Sequence, residues 1–119
     1  MSRRGCLEAL DRLRLDGALG ALIAARDGVP VAFATDRPVS PEAFSAMVAA
    51  LFGAAGAAAQ EWGERRPVRA VIETDELRLL VEAVDADHVL AAVVPTAGAN
   101  ALAARMRDLA PRVARELLG

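Results

Sequence analysis

The sequence has one cysteine, few aromatic residues and no lysine, and each shortage excludes a class of protein. Cys6 is the single cysteine among 119 residues, so the chain forms no internal disulfide and has no cysteine-based zinc motif. Four aromatic residues, no tyrosine and a net charge of −2 argue against a nucleic-acid partner, which needs a basic surface and usually stacking groups. All 14 basic residues are arginine and 28 residues are alanine, a composition typical of a GC-rich genome.

Long apolar runs are also lacking. No run reaches the length of about 18 residues that a membrane span needs. The N-terminus has Arg3 and Arg4 followed by acidic residues, instead of the apolar stretch of a signal peptide. We therefore expect a cytoplasmic protein without membrane insertion. A chain of this length supports one hydrophobic core, so we expect a single domain over residues 1–119.

Hydropathy periodicity and turn signals predict the element order α-β-β-α-β-β-β-α and an α+β fold. Asp27 and Gly28 separate two apolar runs, which predicts a hairpin with a type I′ turn. Ser40 and Pro41 are typical of a helix start. Two-residue connections make the last three strands antiparallel neighbours. The predicted ranges are a helix over 3–15, strands over 18–25 and 29–35, a helix from 41 to about 62, strands over 68–74, 77–84 and 87–94, and a helix from 98 onwards, which Pro111 should bend or shift in register.

The predicted central helix has two unlike sides. A helical wheel places large apolar residues and alanines on one side, which we expect to cover the sheet: Phe44, Met47, Val48, Leu51, Phe52, Ala55, Ala58, Ala59 and Trp62. The opposite side carries small or uncharged residues: Ser45, Ala46, Ala49, Ala50, Gly53, Gly56, Ala57 and Gln60. An exposed helix normally carries charges there, and a glycine within a helix costs about 1 kcal/mol relative to alanine. We therefore expect a second copy of the chain to cover this side. Two alternatives would explain the same composition: a different partner chain covers this side, or the side is exposed and alanine fills it because of its high helix propensity.

The strand after the central helix is expected at an edge of the sheet, because it follows a helix and not a hairpin. Its residues alternate between two faces: Val68, Ala70 and Ile72 on one, and Arg69, Val71 and Glu73 on the other. Charges on an edge strand block aggregation, or pair with symmetry mates across a twofold axis. We expect the second use, which adds Arg69, Val71 and Glu73 to the predicted interface.

No combination of residues predicts catalysis, a metal site or a cofactor. His88 lies beside Asp85 and Asp87, but neighbouring strand residues point to opposite faces, so we expect a solvated turn and not a metal site. The segment around Gly53 and Gly56 has neither the lysine nor the serine or threonine hydroxyl of a phosphate-binding loop. Since the sequence also offers no catalytic triad and no perturbed carboxylate pair, we expect a protein that is not an enzyme, with no cofactor and no metal.

The order of elements and three local patterns resemble the Roadblock (dynein light-chain) domain family. Residues 17–32 are similar to the family's opening hairpin, the alanine-rich central helix to its second helix, and residues 90–100 to its last strand and the loop after it. The resemblance covers about residues 5–118. Two positions depart from it: residues 74–76 replace a glycine that is common in the family, and Ala101 stands where glycine is more usual.

The resemblance implies a profilin-like fold, in which a five-stranded antiparallel sheet lies between the central helix and the two terminal helices. It also implies dimers formed through the central helix and the third strand. Prokaryotic members of the MglB type commonly act with small Ras-like GTPases, so the resemblance implies a homodimeric, non-enzymatic regulator or scaffold of such a GTPase. The alternative is a sensory, ligand-binding or signalling-adaptor module without a GTPase partner, and the few aromatic residues do not favour the pocket it would need.

Overall fold

The computed structural model describes residues 3–63 and 66–118. Its helices and strands follow the predicted order, with boundaries within two residues of those predicted, and a one-turn 3₁₀-helix joins the last strand to the last helix. The elements are α1 (Arg3–Leu15), β1 (Gly20–Ala25), β2 (Pro30–Thr35), α2 (Pro41–Gln60), β3 (Arg69–Glu73), β4 (Leu77–Ala83), β5 (His88–Pro95), the 3₁₀-helix (Thr96–Gly98) and α3 (Ala99–Leu118).

The five strands form one antiparallel sheet in the order β2-β1-β5-β4-β3. β1 and β5 lie at the centre, where an almost continuous apolar sequence allows burial on both faces. β3 pairs with β4 alone and forms one edge, as predicted, and β2 forms the other. The predicted five-stranded antiparallel sheet and the α+β class are confirmed.

Helices cover both faces of the sheet. α1 and α3 cover one face, where Leu10 of α1 and Met106 of α3 belong to the larger core cluster. α2 covers the other face, where Val48 and Phe52 pack against sheet residues such as Leu22. The sheet therefore lies between the central helix and the two terminal helices, as predicted.

The β1–β2 hairpin forms at the predicted place but with a different turn. A type I′ turn needs positive φ at both central residues, and in the described residues positive φ occurs only at glycines, including Gly28 at +97°. The carbonyl of Ala25 accepts a hydrogen bond from the Gly28 N–H at 2.9 Å, and the Ala25 N–H donates to the Val29 carbonyl at 2.8 Å. The turn is thus the three-residue kind, with glycine in the left-handed position, and Asp27 keeps an ordinary conformation.

α2 begins as predicted and ends earlier. The Ser40 hydroxyl accepts a hydrogen bond from the Ala43 N–H at 3.2 Å, and Pro41 is the first helical residue. The helix ends at Gln60, so Trp62 lies beyond it and is 89% exposed. Trp62 was expected to cover the sheet, and this expectation is wrong.

By length and composition, α2 has the properties of a membrane span, the one such helix among the described residues. The expectation that no apolar segment is long enough to span a membrane is therefore corrected for α2. Its 20 residues include one charged residue, Glu42. Apolar helices of soluble domains meet the same criterion, and here one side of α2 packs on the sheet.

α3 continues through Pro111 without a break. Its buried residues Leu102, Met106, Leu109 and Val113 keep the spacing of one helix face on both sides of the proline. The expected shift in register therefore does not occur. Because Pro111 lies on the exposed side, the backbone carbonyl that loses its partner can be hydrated.

Candidate partner interface

The outward side of α2 is a surface of small, uncharged residues. Nine exposed residues of α2 define it, and we call it the α2 outer face: Ala43, Ala46, Met47, Ala50, Gly53, Ala54, Ala57, Ala58 and Gln60. The nearest charged residues along the chain are Glu42 and Glu61. Met47, 63% exposed, is the one large apolar side chain on this face. A face with so few protruding side chains permits another helix to approach closely.

Five of the eight helix residues predicted for the interface lie on the α2 outer face: Ala46, Ala50, Gly53, Ala57 and Gln60. The other three lie elsewhere. Ser45 is completely buried, and Ala49 and Gly56 are half-buried. Met47 and Ala58 were expected to cover the sheet and are instead exposed.

These differences share one cause, which is a rotation of α2 about its axis. The helix packs on the sheet through Ser45, Val48 and Phe52, a row with the spacing of one helix face. A small residue at position 45 lets the helix backbone lie close to the sheet. The sequence does not determine this rotation, because alanine borders the apolar side of the wheel on both flanks.

The three strand residues predicted for the interface lie on the opposite face of the sheet from α2. Ala70 and Ile72 pair with Val81 and Leu79, which belong to the core cluster beneath α2. Because side chains alternate along a strand, Arg69, Val71 and Glu73 point towards the α3 side. The structure therefore does not bring the predicted helix residues and the predicted strand residues onto one face. The β3 residue exposed on the α2 side is Ile72.

Both predicted charges on β3 have partners in their own chain. The Arg69 guanidinium donates two hydrogen bonds to the Glu82 carboxylate, each 3.2 Å long. Arg78 Nε donates to Glu73 at 2.7 Å, and its Nη1 donates to the Asn100 side chain at 3.2 Å. Arg69 and Glu73 therefore do not need a symmetry mate to neutralise them.

The only histidine, His88, is the first residue of β5 and contacts the turn that follows β4. His88 Nδ1 lies 2.9 Å from Asp85 Oδ1, and Asp85 Oδ1 also accepts from the Asp87 N–H at 2.8 Å. Burial raises the pKa of Asp85, but the hydrogen bonds from Asp87 and His88 and the charge of His88 outweigh burial and lower it. Among residues 3–63 and 66–118, no three His, Cys, Asp or Glu side chains are placed to hold a metal ion.

The sequence of residues 7–94 matches the model of the Roadblock/LC7 domain. This match covers well over half of the chain. The chain belongs to the Roadblock/LC7 domain family. No curated protein sequence matches it at a significant level.

Solved structures agree with the Roadblock fold. The gliding protein MglB from Thermus thermophilus is 20% identical, with a TM-score of 0.87 over 95% of this chain and 88% of that chain. A Roadblock/LC7 domain from Streptomyces avermitilis is 20% identical, with a TM-score of 0.86 over 94% of this chain and 97% of that chain. Profilin II from Acanthamoeba castellanii is 18% identical, with a TM-score of 0.63 over 90% of this chain and 94% of that chain. The predicted profilin-like Roadblock fold is confirmed.

Sequence reasoning missed two exposed apolar residues of this Roadblock domain, Met47 and Ile72. Met47 was taken as a member of the apolar stripe of the central helix, and Ile72 was only assigned to one face of the strand after it. Met47 is exposed because the rotation of α2 turns this residue away from the sheet. Ile72 is exposed because β3 is an edge strand. Their exposure adds apolar area to the side of the sheet that carries α2, and exposed apolar patches often mark contact sites for a partner.

Proposed function

We propose that this chain is a homodimeric, non-enzymatic regulator or scaffold of a small Ras-like GTPase, and that residues 1–119 act as one cytoplasmic domain. The observation that carries the proposal is the α2 outer face, which has no charge over its whole length. A helix side of this composition is better suited to contact with another protein surface than to water.

Close helix packing explains the composition of this face. Gly53 is exposed in the middle of α2, and a Cβ built on it would meet nothing within 4 Å. A mid-helix glycine without an internal packing reason costs about 1 kcal/mol, a cost that contact with a second helix can offset. A second copy offers the same flat surface, and a twofold axis places the two copies of α2 against each other.

The edge strand β3 supports the same partner. Among the described residues β3 pairs with β4 alone, so its outer backbone groups can pair with a strand of a second copy. Ile72 is exposed on the side that α2 covers. Contact through α2 and β3 together agrees with the dimers that the family resemblance implies, and leaves the nucleotide chemistry to the GTPase.

Ala50→Glu tests the dimer, because it places a charge in the α2 outer face. The matched control is Ala104→Glu, at an exposed position of α3. We expect light scattering to give a dimer for the wild type and the control at micromolar concentration. Burying one unpaired charge in each copy should weaken association by about 100-fold or more, so Ala50→Glu should be a folded monomer. A monomeric wild type would overturn the dimer proposal.

The GTPase proposal is tested with any Ras-like protein whose gene neighbours the gene of this chain. We expect the two proteins to co-purify, and we expect Ala50→Glu to reduce the complex if the dimer is the binding unit. Faster GTP hydrolysis in the complex would identify an activator, and binding without a change in rate would identify a scaffold. Absence of both binding and a rate effect would overturn the GTPase proposal.

The alternative, a sensory or ligand-binding module, is favoured by one cavity. An apolar pocket of about 200 Å³ lies near the start of α2, and its lining includes Phe33, Val39 and Phe44. It is smaller than most small-molecule sites, which measure about 300–1,000 Å³. A rise in melting temperature with one compound of a metabolite screen would support this alternative.

A further inference from the structure

A second pocket, of about 300 Å³, lies beside the C-terminal half of α2. We call it the arginine pocket, because Arg26 at the end of β1 and Arg66 before β3 both line it. Its described lining contains no acidic side chain. Two cations therefore share one cavity of a protein whose net charge is −2.

Arg26 is held in position before any ligand binds. Its Nη2 donates a hydrogen bond to the Asp85 carbonyl at 2.8 Å, and its guanidinium carbon lies 5.2 Å from the centre of the Phe52 ring. Its Nε is buried and has no hydrogen-bond partner among the described residues. A fixed guanidinium with a donor left over loses little conformational freedom when it binds an anion.

Asp27, which follows Arg26 in sequence, and Asp85, whose carbonyl Arg26 contacts, both have other partners for their carboxylates. Asp27 Oδ1 accepts from the Val29 N–H at 3.1 Å, and Asp85 interacts with His88 within its own turn. In the described part of the chain, neither Arg26 nor Arg66 forms an ion pair. Counted over the described residues, the pocket therefore has uncompensated positive charge, which attracts an anion.

The shape and polarity of the arginine pocket favour a small anion with one charge. Gly53 and Gly56 leave its helix side open, and a Cβ on Gly56 would lie 3.5 Å from the Pro67 ring. Gln60 of the last turn of α2 also lines the pocket. The C-terminal end of a helix carries partial negative charge, which opposes a doubly charged phosphate more than a carboxylate.

We propose that the arginine pocket binds a carboxylate group, with Arg26 and Arg66 as its cationic contacts. Planar carboxylates accept paired hydrogen bonds from guanidinium groups. The carboxylate can belong to an acidic side chain of a protein segment or to a small carboxylic acid, and both present the same group. The site does not depend on a GTPase partner. It shares Gly53, Ala57 and Gln60 with the α2 outer face, so light scattering accompanies each titration to show whether the second copy stays bound.

Nuclear magnetic resonance of the arginine Nε–H groups tests the site on the full chain. The probes are sodium acetate, an acetylated tri-glutamate amide and sodium phosphate, each titrated at constant ionic strength. We expect saturable shifts at Arg26 and Arg66 with acetate, and none at Arg107, which is exposed on α3. Tighter binding of the peptide than of acetate would support an acidic protein segment, and equal binding would support a small acid.

Variants complete the test. Charged hydrogen bonds of this kind change affinity by about tenfold or more, so Arg26→Gln and Arg66→Gln should each weaken acetate binding by at least about tenfold. Arg107→Gln is the matched control and should leave it unchanged. Arg66 is exposed and forms no ion pair among the described residues, so Arg66→Gln tests the site even if Arg26→Gln unfolds. Shifts that do not saturate, or phosphate binding tighter than acetate, would overturn the proposal.

Discussion

The ion pair between Arg69 and Glu82 offers a sharp test of how the edge strand β3 is held. Its two hydrogen bonds join β3 to β4, and the Glu82 side chain is 10% exposed while that of Arg69 is 43% exposed. Arg69→Met keeps most of the length of the side chain and removes the guanidinium. It leaves the Glu82 carboxylate almost buried beside β3 with no partner.

The expected cost lies between two limits. Removing one partner of a fully buried pair costs about 3–5 kcal/mol, and exposed pairs contribute about 0.2–1 kcal/mol. Because Arg69 is partly exposed and water can reach the edge of the sheet, we expect Arg69→Met to lower the free energy of unfolding by about 1.5–2.5 kcal/mol. Glu82→Gln should cost less, about 0.5–1 kcal/mol, since the guanidinium that remains can be hydrated.

Urea denaturation followed by circular dichroism measures these costs, and the double variant measures the coupling. We expect the two substitutions together to cost about 1 kcal/mol less than the sum of the single costs. The measurement is repeated at several protein concentrations. A cost below about 0.5 kcal/mol without coupling would refute the reasoning. A variant that dissociates without losing monomer stability would instead favour pairing of Arg69 across a twofold axis.

Two further predictions concern backbone strain and pH. Gly17 and Gly28 both have positive φ, but a Cβ on Gly28 would lie 3.3 Å from the Ala46 backbone, whereas one on Gly17 would meet nothing. In urea denaturation we expect Gly28→Ala to cost about 2–3 kcal/mol and Gly17→Ala about 1 kcal/mol, and equal costs would contradict the contact. Because folding lowers the pKa of Asp85, its ionised form contributes stability above the unfolded pKa, and this contribution is lost as pH falls through the folded pKa. Asp85→Asn should therefore cost about 0.5–1 kcal/mol at neutral pH and nothing well below about pH 4; a cost that does not change with pH would contradict this.

Local signals predicted the elements because short-range chemistry determines them. Ser40 and Pro41 start α2 through a hydrogen bond and a fixed φ that involve neighbouring residues only. The hairpin was placed correctly by Asp27 and Gly28, but its turn type was not, since several turns accept these residues. Pro111 did not shift the register of α3, because tertiary packing of its buried stripe outweighs the loss of one hydrogen bond.

The candidate interface was predicted in part. The charge-free composition of α2 predicted a side covered by a partner, and five of the eight helix residues predicted for it are exposed on the α2 outer face; its coverage stays a prediction. The burial of Ser45 and the exposure of Met47 could not be read from periodicity, because both flanks of the stripe are apolar. The arginine pocket was not predicted either, since Arg26 and Arg66 are far apart in the sequence and the fold alone brings them to one cavity.

The order of the elements, the antiparallel pairing of the last three strands and the unusual composition of α2 could be read from the sequence. Each of these depends on residues that are close together along the chain. The rotation of α2, the pairing of Arg69 with Glu82 of its own chain and the set of charges that share a pocket became visible in the folded chain alone. These depend on distances between segments far apart in sequence, which are set by the simultaneous packing of both layers of helices on the sheet.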